Sequence, residues 1–175
     1  CLRASVPCAT IDRQPPPMLS LTRNRKDSRG PHGLAHIPLF SALDAKEHRV
    51  VAGLLHERRY EQGEVIFDQG EDSQALYVVI SGKVLICRQG EPETGKMAEI
   101  GPGRAFGEPA ILGGYPRSAQ ARAAQDCVLQ TLSRRDFDGL VESHKAIALK
   151  ITLQIARQVA RQLREQTGVI PDLPL

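Results

Sequence analysis

The chain has no tryptophan, and aromatic residues of every kind make up only 4% of its 175 residues. The 41% hydrophobic and 25% charged shares nevertheless sit in the range for one globular domain with an adequate core. No uninterrupted apolar run approaches the roughly 20 residues that cross a bilayer, and no charged-then-apolar start resembles a signal peptide. No membrane segment is expected on this chain. The four cysteines, Cys1, Cys8, Cys87 and Cys127, form no C-x-x-C pair and have no histidine at metal-ligand spacing. Neither a metal site nor a disulfide framework is indicated, and reduced thiols in a cytoplasmic protein are expected. No Ser-His-Asp or Cys-His arrangement falls on predicted structure, so catalysis is not expected either.

Charge of one sign is also scarce outside one end. Residues 1–36 hold six Lys/Arg against two Asp/Glu, whereas residues 37–175 hold seventeen against eighteen. The net charge of +3 thus belongs to the first segment. That segment also carries Pro15, Pro16, Pro17, Ser20, Asn24, Ser28, Gly30, Pro31 and Gly33, a composition that breaks regular structure and buries little. It reads as a disordered basic tail or linker. A start at Cys1 instead of Met suggests an incomplete N-terminus.

At Ile37 the texture changes. Leu39, Phe40 and Leu43 precede Asp44, a plausible N-cap, and Val50, Val51, Leu54 and Leu55 share one side of a short helix ending near Glu57. From Arg58 to Ser133 short strand runs alternate with turn residues, the signature of an all-β roll or sandwich. Val65–Phe67, Leu76–Ile80 and Val84–Cys87 are the clearest runs; residues 90–96 read as a polar hairpin loop, with the return strand starting at Met97. Two more strands are expected near Ala119–Ala124 and Cys127–Leu132.

After Ser133 the period moves toward 3.6. Ser133 and Asp136 signal a helix over 134–143, and a longer one is expected from Lys145 to about Gln166. In the longer helix Leu149, Leu153, Ala156, Ala160 and Leu163 recur at steps of four and three, a seam suited either to another helix or to its own β-roll. Gly168 and Pro171 close it, leaving residues 168–175 as a C-terminal tail.

The informative stretch is Phe106-Gly107-Glu108-Pro109-Ala110, followed by Pro116-Arg117-Ser118-Ala119. A strand leads into a single helical turn, and a loop returns the chain to the next strand. The start of a helix presents unpaired N–H groups and a partial positive charge, both suited to an anion. Pro109 fits the first helical position, where an N–H would go unpaired. Arg117 offers a planar fork for two phosphate oxygens. Glu108, acceptor-only when ionised, suits a neutral donor such as a sugar hydroxyl. Carboxylate for ribose and guanidinium for phosphate together describe a nucleotide; the competing reading is that the two side chains pair with each other.

These residues, with their spacing from acid to arginine, resemble the phosphate-binding cassette of cyclic-nucleotide-binding domains. Gly63-Glu64-Val65-Ile66-Phe67, Gln69-Gly70-Glu71, Leu76-Tyr77-Val78-Val79 and Ser81-Gly82-Lys83-Val84 resemble that family's strands and turn glycines in the same order. The resemblance spans residues 37–167. It implies a mainly β fold with flanking helices: a jelly-roll β-roll with an N-terminal helix, a short cassette helix and two C-terminal helices. It further implies that cyclic AMP or cyclic GMP is the ligand, with no metal. Arg117 would bind the exocyclic phosphate oxygens and Glu108 the ribose 2′-hydroxyl. Phe106, Gly107, Pro109, Ala110, Ser118 and Ala119 would frame the pocket, Ile86 and Met97 its apolar wall, and one residue of the last helix the base. Pro109 departs from the large apolar residue usual there.

What the resemblance implies is a regulatory module that couples ligand capture to movement of its C-terminal helix. Its partners would be the nucleotide and either a second copy, through that helix, or a linked transporter, channel or enzyme. A related roll with a metal centre, the cupin, would need histidines on strands, but His32, His36, His48, His56 and His144 fall in the tail and helical segments. A DNA-reading helix-turn-helix needs two further helices after the long one, so direct nucleic-acid binding is not expected on this chain unless it is a fragment of a transcriptional regulator.

Overall fold

The computed structural model describes residues 34–167; of the tail read at residues 1–36, residues 1–33 with Cys1, Cys8 and His32 lie outside these, as does the tail at 168–175, while Leu34–His36 form a turn with Leu34 buried. Two 3-10 turns, Leu34–His36 and Pro38–Phe40, lead into α1 (Ala45–Leu54). Asp44 caps α1 as its side chain suggests: Oδ1 accepts from the N–H of Lys46 (2.7 Å) and of Glu47 (2.9 Å), and Glu47 Oε2 accepts from the N–H of Asp44 (2.8 Å). This reciprocal box satisfies donors that a helix start leaves open.

Eight strands follow, β1 (His56–Tyr60), β2 (Val65–Phe67), β3 (Ala75–Ser81), β4 (Val84–Arg88), β5 (Glu91–Ile100), β6 (Ala105–Phe106), β7 (Gln120–Ala123) and β8 (Cys127–Ser133). They form two four-stranded antiparallel sheets, ordered β1-β8-β3-β6 and β2-β7-β4-β5. Between β6 and β7 lies α2 (Pro109–Leu112), and α3 (Arg134–Ser143) and α4 (Lys145–Thr167) close the chain. This is the β-roll with flanking helices that the sequence implies.

Two boundaries differ from the sequence reading. The first helix stops at Leu54, not near Glu57, because His56 to Tyr60 pair along their whole length with β8. Thr131 Oγ1 also donates to the His56 carbonyl (2.8 Å). Long-range pairing outweighs a local helical preference that Gly53 already weakens. The polar stretch 90–96 belongs largely to β5, yet its ladder with β4 jumps from Cys87↔Lys96 to Arg88↔Glu91. The expected loop is an irregularity inside a strand.

Strand alternation divides the core in two. Leu76 and Val78 of β3 face the helices and pack with Phe40, Val51, Leu132, Phe137, Leu140, Ile151 and Ile155. Val79, next along, faces the interior of the roll with Phe67, Val84, Phe106, Ala121 and Leu129. The aliphatic composition thus builds a roll core around two phenylalanines. At the β3–β4 turn Gly82 has φ +79°, and a Cβ there would lie 2.2 Å from the Asp126 carbonyl; no other residue fits.

The long helix packs on its own domain, but not through the seam read from the sequence. It folds back through Ile147, Ala148, Ile151 and Ile155, all buried. Leu149, Leu153, Ala156 and Ala160 point outward, and Leu149 and Leu153 are 61% and 47% exposed. Lys150 ties it to α1 through both Glu47 oxygens (2.8 and 2.7 Å).

Candidate functional site

Strand β6 ends at Phe106, and Gly107 turns the chain with φ +78°. A Cβ there would sit 2.6 Å from an Arg117 guanidinium nitrogen and 3.3 Å from the Ala75 carbonyl. Glycine is therefore what lets the arginine lie along the backbone. Pro109 opens α2 as its missing N–H allows. The following N–H groups, of Ala110 and Ile111, donate to the carbonyls of Gly107 and Glu108 (both 3.1 Å). These two donors, expected from the sequence to be unpaired, are paired within the cassette itself.

The return loop is pinned to the segment before β3. The Arg117 N–H donates to the Glu71 carbonyl, and the Arg117 carbonyl accepts from the Gly70 N–H, both at 2.8 Å. The Arg117 side chain turns inward and is only 6% exposed. Its guanidinium carbon stands 4.0 Å above the centre of the Phe67 ring and 5.6 Å from that of Tyr77. Nη2 donates to the Ala75 carbonyl (2.7 Å) and Nη1 to that of Gly107 (3.3 Å), while buried Nε has no partner. Burial pulls the guanidinium below its ordinary pKa, opposed by the nearby Tyr77, Glu71 and Glu108; an arginine nevertheless stays charged in proteins. A buried cation on an aromatic platform, with one donor unsatisfied, is a standing demand for an anion.

Glu108, 5% exposed, does not supply it. Among the described residues no ion pair joins Glu108 to Arg117, so the competing reading of mutual pairing fails. Glu108 Oε1 instead accepts from Gln158 Nε2 of α4, and the same amide donates to the Ala105 carbonyl (3.3 Å). Burial pushes the Glu108 carboxyl above its ordinary range, against the pull of its own N–H, of Gln158 and of the more distant Arg104 and Arg117.

The structure thus brings Phe106, Gly107, Glu108, Ala110, Arg117 and Ala119 together, all but Gly107 buried. Pro109 and Ser118 are exposed beside them, and Ile86 is half-buried against the roll core. Met97 stands 61% exposed on β5. Sequence reasoning did not single out Gln158, nor the Phe67 and Tyr77 rings beneath the guanidinium. Gln158 was detectable: it lies three residues beyond Ile155, where the inward stripe of α4 turns from apolar to polar. Among the described residues no group of three or more His, Cys, Asp and Glu could hold a metal, and no helix is long and apolar enough to cross a membrane.

Residues 57–144 match the cyclic nucleotide-binding domain family, and the chain belongs to that family. It is 40% identical over 114 residues to the cyclic AMP receptor protein of Thermus thermophilus, covering 63% of this chain and 52% of the receptor. A cyclic nucleotide-gated potassium channel of Mesorhizobium japonicum is 34% identical over 115 residues, covering 66% of this chain and 31% of the channel. The crystal structure of the Thermus thermophilus catabolite activator protein superposes with a TM-score of 0.65 at 37% identity, over 74% of this chain and 60% of that one. The chain therefore spans about half of the receptor's length and under a third of the channel's. Its relatives are cyclic-nucleotide regulators with different outputs, and the shared part is the ligand-binding domain.

Proposed function

We propose that Arg117 takes the exocyclic phosphate oxygens of a cyclic nucleotide and Glu108 its ribose 2′-hydroxyl. On this reading Gly107, Ala110, Ser118 and Ala119 frame the phosphate, Phe106 and Pro109 shape the turn, and Ile86 and Met97 flank the base. The observation that carries it is the buried Arg117 guanidinium, stacked on Phe67 with Nε unpartnered and no carboxylate paired to it. A phosphate supplies the missing charge and accepts from several guanidinium donors at once. Capture draws α2 inward and repositions α4; the ligand drives this only through its greater affinity for the closed form.

The chain acts on this reading as a sensor without chemistry of its own, its output passed to a second copy or a linked effector. The exposed Leu149 and Leu153 on α4 favour a second copy. The cytoplasm is the compartment we assign, which the free thiols of Cys87 and Cys127 suit. Calorimetry with cyclic AMP, cyclic GMP and cyclic di-GMP tests the site. Charged hydrogen bonds contribute about 1.5–3 kcal/mol each, so Arg117→Ala weakens binding by roughly ten- to a hundredfold. Equal affinity in the two proteins would remove Arg117 from the site.

A further inference from the structure

The inward face of α4 is aliphatic for two turns and then changes character. Ile147, Ile151 and Ile155 follow one another at steps of four, each at most 5% exposed. The next inward position, three residues on, is Gln158. An amide at the end of an aliphatic stripe must find partners or lose the free energy of its hydration. Gln158 finds two acceptors, Glu108 Oε1 and the Ala105 carbonyl, both beside the cassette turn. The long helix is thereby fastened to the one carboxylate assigned to the sugar.

We infer that Gln158 determines selectivity for the sugar 2′-hydroxyl, by occupying Glu108 in place of that hydroxyl until a ligand arrives. The inference rests on the reading that Glu108 takes the ribose. An ionised carboxylate only accepts, and on this inference the sugar O–H addresses Oε1, the oxygen that Gln158 already holds, so that the amide N–H and the sugar O–H are rival donors to that one oxygen. A ribonucleotide exchanges one donor for another and frees Gln158, and with it this part of α4. A 2′-deoxynucleotide offers no donor; Glu108 keeps Gln158, and the helix stays fastened even while Arg117 holds the phosphate. Release of α4 is then tied to the sugar, and the phosphate contributes affinity alone.

The test is calorimetry on the full chain and its Gln158→Met variant, which keeps length and loses the donor, with cyclic AMP and 2′-deoxy cyclic AMP. Cyclic AMP binds the variant on the order of tenfold more tightly, because no charge-assisted hydrogen bond has to be given up. The 2′-deoxy analogue gains little, so the ratio of the two affinities widens by about the same factor. Binding by the variant where wild type is silent also supports the inference. An unchanged ratio, or weaker cyclic AMP binding by the variant, overturns it, since a residue that merely packs or orients Glu108 gives those results. If wild type binds both nucleotides through Arg117 and the ratio stays fixed, only the role of Gln158 falls. If neither protein binds either nucleotide, the cassette assignment falls and takes this inference with it. A measurement on wild type alone covers a variant that folds poorly: saturating cyclic AMP accelerates hydrogen exchange around Gln158 and the saturating 2′-deoxy analogue does not. Equal exchange with both overturns the inference.

Discussion

Glu108, the carboxylate proposed to take the ribose, occupies a position that is costly to ionise. Its carboxyl is buried and held above the ordinary glutamate range, desolvation being the largest cause. The folded chain thus binds that proton more tightly than the unfolded chain does, and the group's contribution to stability falls as pH rises from the unfolded value through the raised one. Above that window the charge is a net cost to folding. Glu108→Gln removes the cost while leaving a carbonyl oxygen for the Gln158 amide. Its melting temperature therefore exceeds that of wild type at about pH 7, and the two converge at about pH 3, below the ordinary glutamate value, where the carboxyl is neutral in the folded and the unfolded chain alike. The same variant binds cyclic nucleotide more weakly, having exchanged a charged acceptor for a neutral one. Thermal melts at the two pH values check the first statement; a variant less stable than wild type at pH 7 refutes it.

The helix α4 has two working faces. One holds Ile147, Ile151 and Ile155 against the roll and ends in Gln158; the other exposes Leu149 and Leu153. Fully burying a leucine is worth about 1.5–3 kcal/mol, so leaving two in water on one stripe favours a helix from a second copy. Leu149→Glu combined with Leu153→Glu places charges on that stripe without touching the core. Light scattering then reports a monomer for the double variant and a dimer for wild type at micromolar concentration. Equal masses for the two proteins would dispose of the stripe as an interface. The ion pair between Lys150 and Glu47 ties this helix to α1.

For the molecule as a whole, the proposed site links ligand binding to folding, because Arg117 is held in place only by the assembled roll. A ligand at a hundred times its dissociation constant stabilises the folded state by about 2.7 kcal/mol, which for a domain of this size raises the melting temperature by roughly 5–10 °C. Differential scanning fluorimetry with cyclic AMP shows that rise in wild type and loses it in Arg117→Ala at the same concentration. An equal rise in both proteins would place the nucleotide elsewhere on the surface.

Most strand runs, the turn glycines, the caps at Asp44 and Ser133 and the single helical turn after Gly107 were legible in the chain itself, because each depends on neighbours a few positions away. The Asp44 box spans three residues, and the Gly107 turn reflects its own backbone. Pairings across the fold were not legible. His56 to Tyr60 became a strand only by meeting β8. Arg117 reaches a carbonyl 42 positions away, and Gln158 a carboxylate 50 away. Local chemistry thus specified what each of these side chains can bond, while packing decided which partners they have. The reason is physical: a side chain's type states what it can bond, but burial and partner are set by segments that meet only once the roll has closed.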